Sequence, residues 1–339
     1  MAIATRDKVA FLKSPLAYSP PPAGVEVMET HHSWVFLTDR FVYKMKKPIK
    51  HQHHDYSTLA RRQANSRAEL RLNRRLAKPI YLAVLALTVD EKGQLQLGGT
   101  GRIVDWLVKM RRIPAENMLD AAIRNQTFTT TEIDRAATKL ATFYQRAAPE
   151  NVGYNAQRNQ LTAELDHTRE VLHLPLFKLD TALVDHICHG LRQVLADEAN
   201  LFRQRIAEKK IIQGHGDLRP QHVCLRPTPY FIDCLEFSQE LRTLDPIDDL
   251  SYLALECDLL GVPEIGERFF QRYAEQNSPG VPATLKYFYK ALRALVRARL
   301  AAAHLLDPQY QDDPRWVAKA KRYLQEAQIN QANIRYGVS

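Results

Sequence analysis

Eight consecutive residues in the second half of the chain, HGDLRPQH at 215–222, form its densest group of side chains capable of chemistry. Glycine and proline lie on both sides of Asp217, which predicts an irregular loop rather than a helix. A second carboxylate, Asp233, ends the apolar stretch that follows. Two short strands joined by a turn at residues 226–229 would place Asp217 and Asp233 at the same end of a hairpin.

Two carboxylates in this arrangement are suited to phosphoryl transfer. One can bind Mg²⁺, which takes oxygen ligands and keeps several waters beside substrate phosphates. The other can orient a hydroxyl nucleophile toward the phosphorus. The chain has no G-x-x-x-x-G-K-[ST] motif, so a Walker-type nucleotide site is excluded.

The elements that must position these carboxylates change in type along the chain. Short runs rich in β-branched and aromatic residues predict strands at residues 25–28, 34–37, 41–45, 82–89 and 103–110. Periodicity predicts helices at residues 57–76, 130–146, 156–172, 181–209 and 284–305. This order indicates an α+β fold with a small β-rich N-lobe that holds one main helix, residues 1–112, and a larger, mostly helical C-lobe, residues 113–339.

The run at 215–222, followed by Asp233, resembles the catalytic loop and metal-binding aspartate of the aminoglycoside phosphotransferase-like kinases. These are the small-molecule branch of the bilobal protein-kinase-like fold. The resemblance covers residues 25–255, and residues 34–48 and 68–76 further resemble an uncharacterised bacterial branch of these phosphotransferases.

The resemblance implies roles for three residues of the loop and for the aspartate that follows it. Asp217 would be the catalytic aspartate that orients the acceptor hydroxyl, and Arg219 would offset the charge of the transferring phosphoryl group. Asp233 would be the principal Mg²⁺ ligand. The family usually has asparagine as a second metal ligand where this chain has His222. Either His222 binds metal, although imidazole suits softer ions than Mg²⁺, or it hydrogen-bonds the loop.

The resemblance also implies a nucleotide-binding set in the first lobe. Lys44 on the third strand would bind the ATP phosphates, and Glu69 in the following helix would be its ion-pair partner. Alternation along the strand places Lys44 on the same face as Val42, where a lysine needs a partner. Met110, Arg111 and Arg112 would form the hinge that holds adenine by its backbone.

The turn between the first two predicted strands departs from the glycine-rich phosphate loop of many kinases. Residues 29–33 read ETHHS and contain no glycine. The hydroxyl of Ser33 is the candidate phosphate donor in this turn.

The predicted helix at 284–305 suggests an acceptor site. Arg299 falls in the middle of its apolar face, and Arg293 lies just beyond the edge of that face. A buried arginine needs an acid or an anionic ligand, so both residues are candidates for acceptor binding, with an internal ion pair as the alternative. The many cations of the C-terminal helices argue against a polycationic aminoglycoside as acceptor.

Composition and the spacing of the cysteines exclude several other classes of protein. The chain has 339 residues and a net charge of +9, with no apolar run long enough for a bilayer. The start of the chain does not read as a secretory signal, and its four cysteines are scattered, so we expect a cytoplasmic protein with no disulfide framework or zinc cluster. Motifs for binding nucleic acid are missing, and we expect neither a nucleic-acid nor a membrane partner.

These features favour an enzyme: an ATP- and Mg²⁺-dependent phosphotransferase that acts on a hydroxyl of a small molecule. The alternative is a pseudokinase that binds nucleotide and regulates a partner, which His222 and the missing glycine loop would suit. The sequence leaves the acceptor and the oligomeric state open.

Overall fold

The chain divides into two compact units in the computed structural model, which describes residues 3–50, 55–277 and 280–336. We call Met1–Ala122 with Gln221–Leu241 the sheet unit, and Ile123–Pro220 with Arg242–Ser339 the helical unit. This division differs from a single cut after residue 112. The segment 221–241 groups with the sheet unit because its backbone binds there, for example where the Leu225 N–H donates to the Asn117 carbonyl at 2.8 Å.

The sheet unit contains a six-stranded antiparallel sheet in the order β1-β2-β3-β6-β4-β5. Its strands are β1 (Glu26–Glu29), β2 (Ser33–Leu37), β3 (Phe41–Lys46), β4 (Tyr81–Val89), β5 (Leu95–Leu97) and β6 (Arg102–Arg111). All but β5 were predicted. Strand β5 has three residues and forms by pairing with β4. A separate hairpin pairs Val223–Cys224 with Tyr230–Phe231.

The sheet unit also contains two longer helices, α1 (Thr5–Lys13) and α2 (Leu59–Ala77). A shorter helix, α3 (Leu119–Arg124), begins at its end. The side chain of Thr58 caps α2 by accepting the Arg61 N–H. Helix α2 contacts β4 and β6, so polar residues on its inner face are buried.

The helical unit is built from helices that follow the predicted pattern closely. They are α4 (Thr130–Arg146), α5 (Tyr154–Leu172), α6 (Thr181–Asp197), α7 (Ala199–Ala207), α8 (Gln239–Arg242, which begins in the sheet unit), α9 (Pro246–Leu259), α10 (Pro263–Gln276), α11 (Ala283–Ala303) and α12 (Pro314–Tyr336). The predicted helix at 181–209 is two helices, because Glu198 leaves helical geometry at φ −98° and ψ 24°. Within the described ranges, no helix is long and apolar enough to cross a membrane.

A buried ion cluster joins both long helices of the sheet unit to β6. The Asp105 carboxylate accepts from Lys8 of α1 at 2.8 Å and from Arg62 of α2 at 2.7 Å. All three residues are at most 7% exposed. Since Asp105 lies between two buried cations, its charge holds α1 and α2 against the same strand.

Replacing Asp105 with asparagine should destabilise the protein by about 3–5 kcal/mol, because two buried cations would lose their shared carboxylate. Urea unfolding of the full chain measures the loss. Asp7→Asn is the matched control, since Asp7 forms only an exposed pair with Arg6. Equal stability of the two variants would contradict a structural role for the Asp105 cluster.

Candidate functional site

Two residues predicted for the nucleotide site, Lys44 and Glu69, meet the predicted Mg²⁺ ligand Asp233 in the sheet unit. The ammonium of Lys44 on β3 lies 2.8 Å from Asp233 Oδ1 and 3.1 Å from Glu69 Oε1 of α2. The Glu69 side chain is fully buried, whereas the Asp233 side chain is 45% exposed. Residues as far apart as 44 and 233 therefore form one ion-pair chain whose Asp233 end is accessible to a ligand.

A second lysine, Lys46, takes part in this chain, and the sequence analysis did not single it out. Its ammonium lies 2.8 Å from Glu69 Oε2 and also contacts Glu236, and only 1% of its side chain is exposed. The Tyr56 hydroxyl donates to Glu236 at 3.2 Å. The signal was present in the sequence, because strand alternation puts Lys46 on the same face as Lys44. It was obscured because Lys46 lies in a run of lysines, with Lys47 and Lys50 close behind it.

The opposite charges in this cluster keep its members ionised despite burial. Burial alone would lower the pKa of Lys44, but Asp233 and then Glu69 hold that pKa well above its ordinary value. Burial would raise the pKa of Asp233, but Lys44 and then His222 keep it well below its ordinary range. Asp233 is therefore a carboxylate at neutral pH, as a metal ligand must be.

The backbone at Asp233 has an uncommon conformation, with a φ of 60°. Its N–H donates to the Tyr81 hydroxyl at 3.0 Å, and the next N–H, of Cys234, donates to Asn73 Oδ1 at 2.8 Å. Left-handed geometry at a residue other than glycine persists only where its surroundings impose it, and such residues cluster at functional sites. Strand β4 and helix α2 thus fix the direction of the Asp233 carboxylate.

The predicted metal ligands Asp233 and His222 both lie in the sheet unit, with Asp233 Oδ2 3.7 Å from His222 Nε2. Among the described residues, no group of three or more histidine, cysteine or acidic side chains could hold a metal. A single accessible carboxylate still fits Mg²⁺, which is commonly bound by one or two carboxylates together with phosphates and water. The surroundings of Asp233 therefore suit Mg²⁺ better than a metal ion whose ligands must all come from the protein.

Ser33, the predicted phosphate donor, begins β2 and is 1% exposed. Its N–H donates to Thr30 Oγ1 at 3.0 Å, which closes the turn. Its hydroxyl is buried and has no hydrogen-bond partner among the described residues. The hydroxyl is thus an available donor, but a phosphate would reach it only if this turn opened.

The predicted hinge residues end β6, where Met110 pairs with Val42. The Arg111 N–H donates to the Ile80 carbonyl and the Arg112 N–H to the Arg40 carbonyl, at 2.8 and 2.9 Å. These two N–H groups are therefore engaged within the sheet unit. An adenine ring would need other backbone groups of this segment as its hydrogen-bonding partners.

The helical unit holds the other predicted pair, Asp217 and Arg219. The Arg219 guanidinium donates to Asp217 Oδ2 at 2.7 Å, and their side chains are 18% and 27% exposed, respectively. Burial would lower the pKa of Arg219, but the charge of Asp217 raises it. Since Asp217 and Asp233 belong to different units, their arrangement at one end of a hairpin stays a prediction.

A fully buried aspartate, Asp249 at the start of α9, fixes the loop before Asp217. Its two oxygens accept the N–H groups of His215 at 2.6 Å and Gly216 at 2.8 Å. Gly216 has a φ of 83°, and a Cβ at Gly214 would collide with the Asp249 carboxylate. The glycines around His215 therefore let the backbone approach Asp249 closely, which holds the loop in an irregular shape.

The two arginines predicted to bind the acceptor are engaged in ion pairs inside the helical unit. Arg293 binds Asp248 through two hydrogen bonds of 2.6 and 2.7 Å, and Arg299 donates to Glu164 of α5 at 2.6 Å. This is the internal ion-pair alternative given above. Asp248, in the first turn of α9, is nearly as buried as the loop-binding Asp249 and is neutralised by Arg293.

No protein-family model matches the chain. An uncharacterised protein of Mycobacterium tuberculosis is 31% identical over 309 residues, a match that covers 88% of this chain. The chain spans 58% of the length of that relative.

Solved structures show the fold. A choline/ethanolamine kinase family protein from Mesorhizobium loti has a TM-score of 0.54 and 16% identity, and the match covers 97% of this chain and 99% of that one. The GDP complex of aminoglycoside 2′-phosphotransferase-IIIa has a TM-score of 0.51 and 16% identity, over 96% and 99% of the two chains. The chain thus has a protein-kinase-like fold similar to that of the aminoglycoside phosphotransferases, and the predicted fold class and resemblance are confirmed.

Replacing Lys46 with methionine should destabilise the protein by about 3–5 kcal/mol, because Glu69 and Glu236 would share a buried site with one cation fewer. Chemical denaturation measures the change. The matched control is Lys47→Met, which removes the neighbouring lysine and its pair with the exposed Glu29. That control should cost about 1 kcal/mol or less. If both variants lost the same stability, Lys46 would not be a member of the buried cluster.

Proposed function

We propose that the protein is an ATP-dependent phosphotransferase that moves the γ-phosphoryl group of ATP to a hydroxyl of a small molecule. The observation that supports this most strongly is the chain of ion pairs from Glu69 through Lys44 to Asp233. Phosphoryl transfer depends mainly on placing positive charge around the transferring group. Lys44, held by the buried carboxylate of Glu69, can place positive charge there. The accessible, ionised Asp233 beside it can bind a metal cation for the same purpose.

In this proposal the sheet unit binds the nucleotide. Lys44 donates to the phosphates, and Glu69, fixed by Lys46, keeps the ammonium in position. Asp233 holds Mg²⁺, which when bound neutralises phosphate charge. The nucleotide bound in a structure of the same fold, GDP in an aminoglycoside 2′-phosphotransferase, supports a nucleotide as ligand. The choice of ATP is part of the proposal.

The helical unit supplies the residues that act on the acceptor. Asp217 accepts a hydrogen bond from the acceptor hydroxyl and takes up its proton as the hydroxyl oxygen bonds to the γ-phosphorus, while the bond from that phosphorus to the bridging oxygen breaks and ADP leaves. Arg219, now paired with Asp217 at 2.7 Å, offsets charge on the transferred group. The backbone bonds from His215 and Gly216 to Asp249 keep the loop rigid, so Asp217 is held in place before substrate binds.

Replacing Asp217 with asparagine should lower phosphoryl transfer by about 10²- to 10⁴-fold, since the amide cannot take the proton. Binding of ATP with Mg²⁺ should stay close to that of the original protein, because Asp217 does not hold the nucleotide. A screen of hydroxyl metabolites with labelled ATP measures transfer, and calorimetry measures binding.

Asp233→Asn is the control for this experiment, because it should weaken Mg²⁺-dependent nucleotide binding itself. Normal transfer by the Asp217 variant would contradict the assignment of the base. Tight binding of nucleotide by the unmodified protein without transfer to any acceptor or to water would favour the pseudokinase instead.

A further inference from the structure

A third arginine of α11, Arg297, has unused hydrogen-bonding capacity. Its Nε lies 3.3 Å from both Glu256 and the Tyr323 hydroxyl, and the guanidinium lies over the Tyr323 ring. Its two terminal nitrogens make no hydrogen bond to any residue that the structure describes. They are the pair of donors with which a guanidinium binds a carboxylate or a phosphate in bidentate fashion.

The neighbouring arginines of the same helix differ in this respect. Arg293 uses two nitrogens on Asp248, and Arg299 donates through a terminal nitrogen to Glu164. The Tyr323 hydroxyl also donates to Glu256 at 2.8 Å, so the acid nearest Arg297 is shared with a phenol. Arg297 is therefore held in place by its Nε and its ring contact, while the end of its side chain remains available.

A second cation, Lys319, lies on α12 four residues before Tyr323, and so on the helical face that Arg297 contacts. Its side chain is exposed, it lies over the Trp316 ring at 5.5 Å, and it has no ion-pair partner among the described residues. Partial burial, together with the positive charges of Arg297 and Arg219, lowers the pKa of Lys319. An anion placed there would relieve the repulsion among these three cations.

These cations lie close to the proposed catalytic loop within the helical unit. Tyr252, 4% exposed on α9, connects them: burial and the charge of Asp217 raise its pKa, while Arg297 and Arg219 act in the opposite direction. Helix α9 also links the two places in space. Its Asp249 binds the N–H groups of His215 and Gly216, and Glu256, seven residues later on the same helical face, contacts Arg297. The available donors of Arg297 therefore lie near the loop that carries Asp217.

We propose that Arg297 and Lys319 bind an anionic group, a carboxylate or a phosphate, of the small molecule that is phosphorylated. The two donors of Arg297 take the anion in bidentate fashion, and Lys319 adds a second positive charge. Arg219 pairs with Asp217 and Arg297 with Glu256, whereas Lys319 has no ion-pair partner among the described residues. This inference rests on the proposed function and specifies its acceptor class.

The binding of an anion can be tested without a known acceptor, by the reactivity of Lys319. The full chain is treated with an amine-acetylating reagent in inorganic phosphate, or in sodium chloride of equal ionic strength, and modified peptides are measured by mass spectrometry. At a phosphate concentration about ten times its dissociation constant, acetylation of Lys319 should slow about tenfold. Lys321, an exposed lysine on the same helix, should react equally in both salts.

Substitution of Arg297 links this protection to the proposed site. Arg297→Met should abolish the protection of Lys319 by phosphate, and Arg297→Lys, which keeps the charge but loses the bidentate donors, should weaken it. If Arg297→Met does not fold, the reactivity of Lys319 is compared between the original protein and Arg297→Lys alone. Equal reaction of Lys319 in phosphate and chloride, or unchanged protection in both Arg297 variants, would overturn the proposal.

An acceptor panel tests the same inference during turnover and identifies the anion. Glycerol, glycerate, glycerol 3-phosphate and choline present a hydroxyl beside a neutral group, a carboxylate, a phosphate and a cation. An anionic member should be preferred over glycerol by roughly tenfold or more in kcat/KM, the worth of one charged hydrogen bond. Preference for choline or glycerol would overturn the proposal.

These experiments can contradict the anionic acceptor site and the proposed phosphotransferase function independently of each other. ATP hydrolysis by the same samples, without phosphate protection of Lys319, would leave the proposed function standing and remove the anionic acceptor. Protection of Lys319 without any turnover of ATP would retain the anion site and contradict the proposed function. Lys321→Met should change neither measurement.

Discussion

The buried carboxylate of Glu69 is the constraint on which the rest of the sheet unit depends. A fully buried carboxylate is tolerated only with close positive partners, and Glu69 has two, Lys44 and Lys46. Because both lysines lie on one face of β3, the strand and α2 must keep a fixed register. The five ionised groups of the cluster, two lysines and the carboxylates of Glu69, Asp233 and Glu236, leave one negative charge, which suits a site for a cation.

The position of α2 is set at a second point along the helix. Arg62, seven residues before Glu69 and thus on the same helical face, binds Asp105 of β6, which also binds Lys8 of α1. Two buried acids thus hold α2 against the sheet.

Much of this arrangement could be predicted from sequence, and its failures have physical causes. Strand alternation indicated that Lys44 needs a partner, and the resemblance to the aminoglycoside phosphotransferase-like kinases supplied Glu69. The same alternation applied to Lys46, but composition alone does not single out one buried lysine in a run of lysines. The helical wheel placed Arg299 on a buried face correctly, yet the choice between Glu164 and a ligand depends on tertiary contacts that one helix does not encode. Arg297 was not predicted, because its contacts are with Tyr323 and Glu256 on other helices.

In the proposed function, the two units of the chain supply different sets of residues, one set for the nucleotide and the other for the acceptor. Lys44, Glu69 and Asp233 belong to the sheet unit, whereas Asp217, Arg219 and Arg297 belong to the helical unit.

The most direct test of phosphoryl transfer is ³¹P NMR of ATP incubated with the full chain, Mg²⁺ and a mixture of hydroxyl metabolites. The account predicts that the γ-phosphate resonance is lost as ADP and a new phosphate ester appear, and that both changes stop when a chelator removes Mg²⁺. An unchanged ATP spectrum, or conversion that continues at the same rate in the chelator, would contradict it.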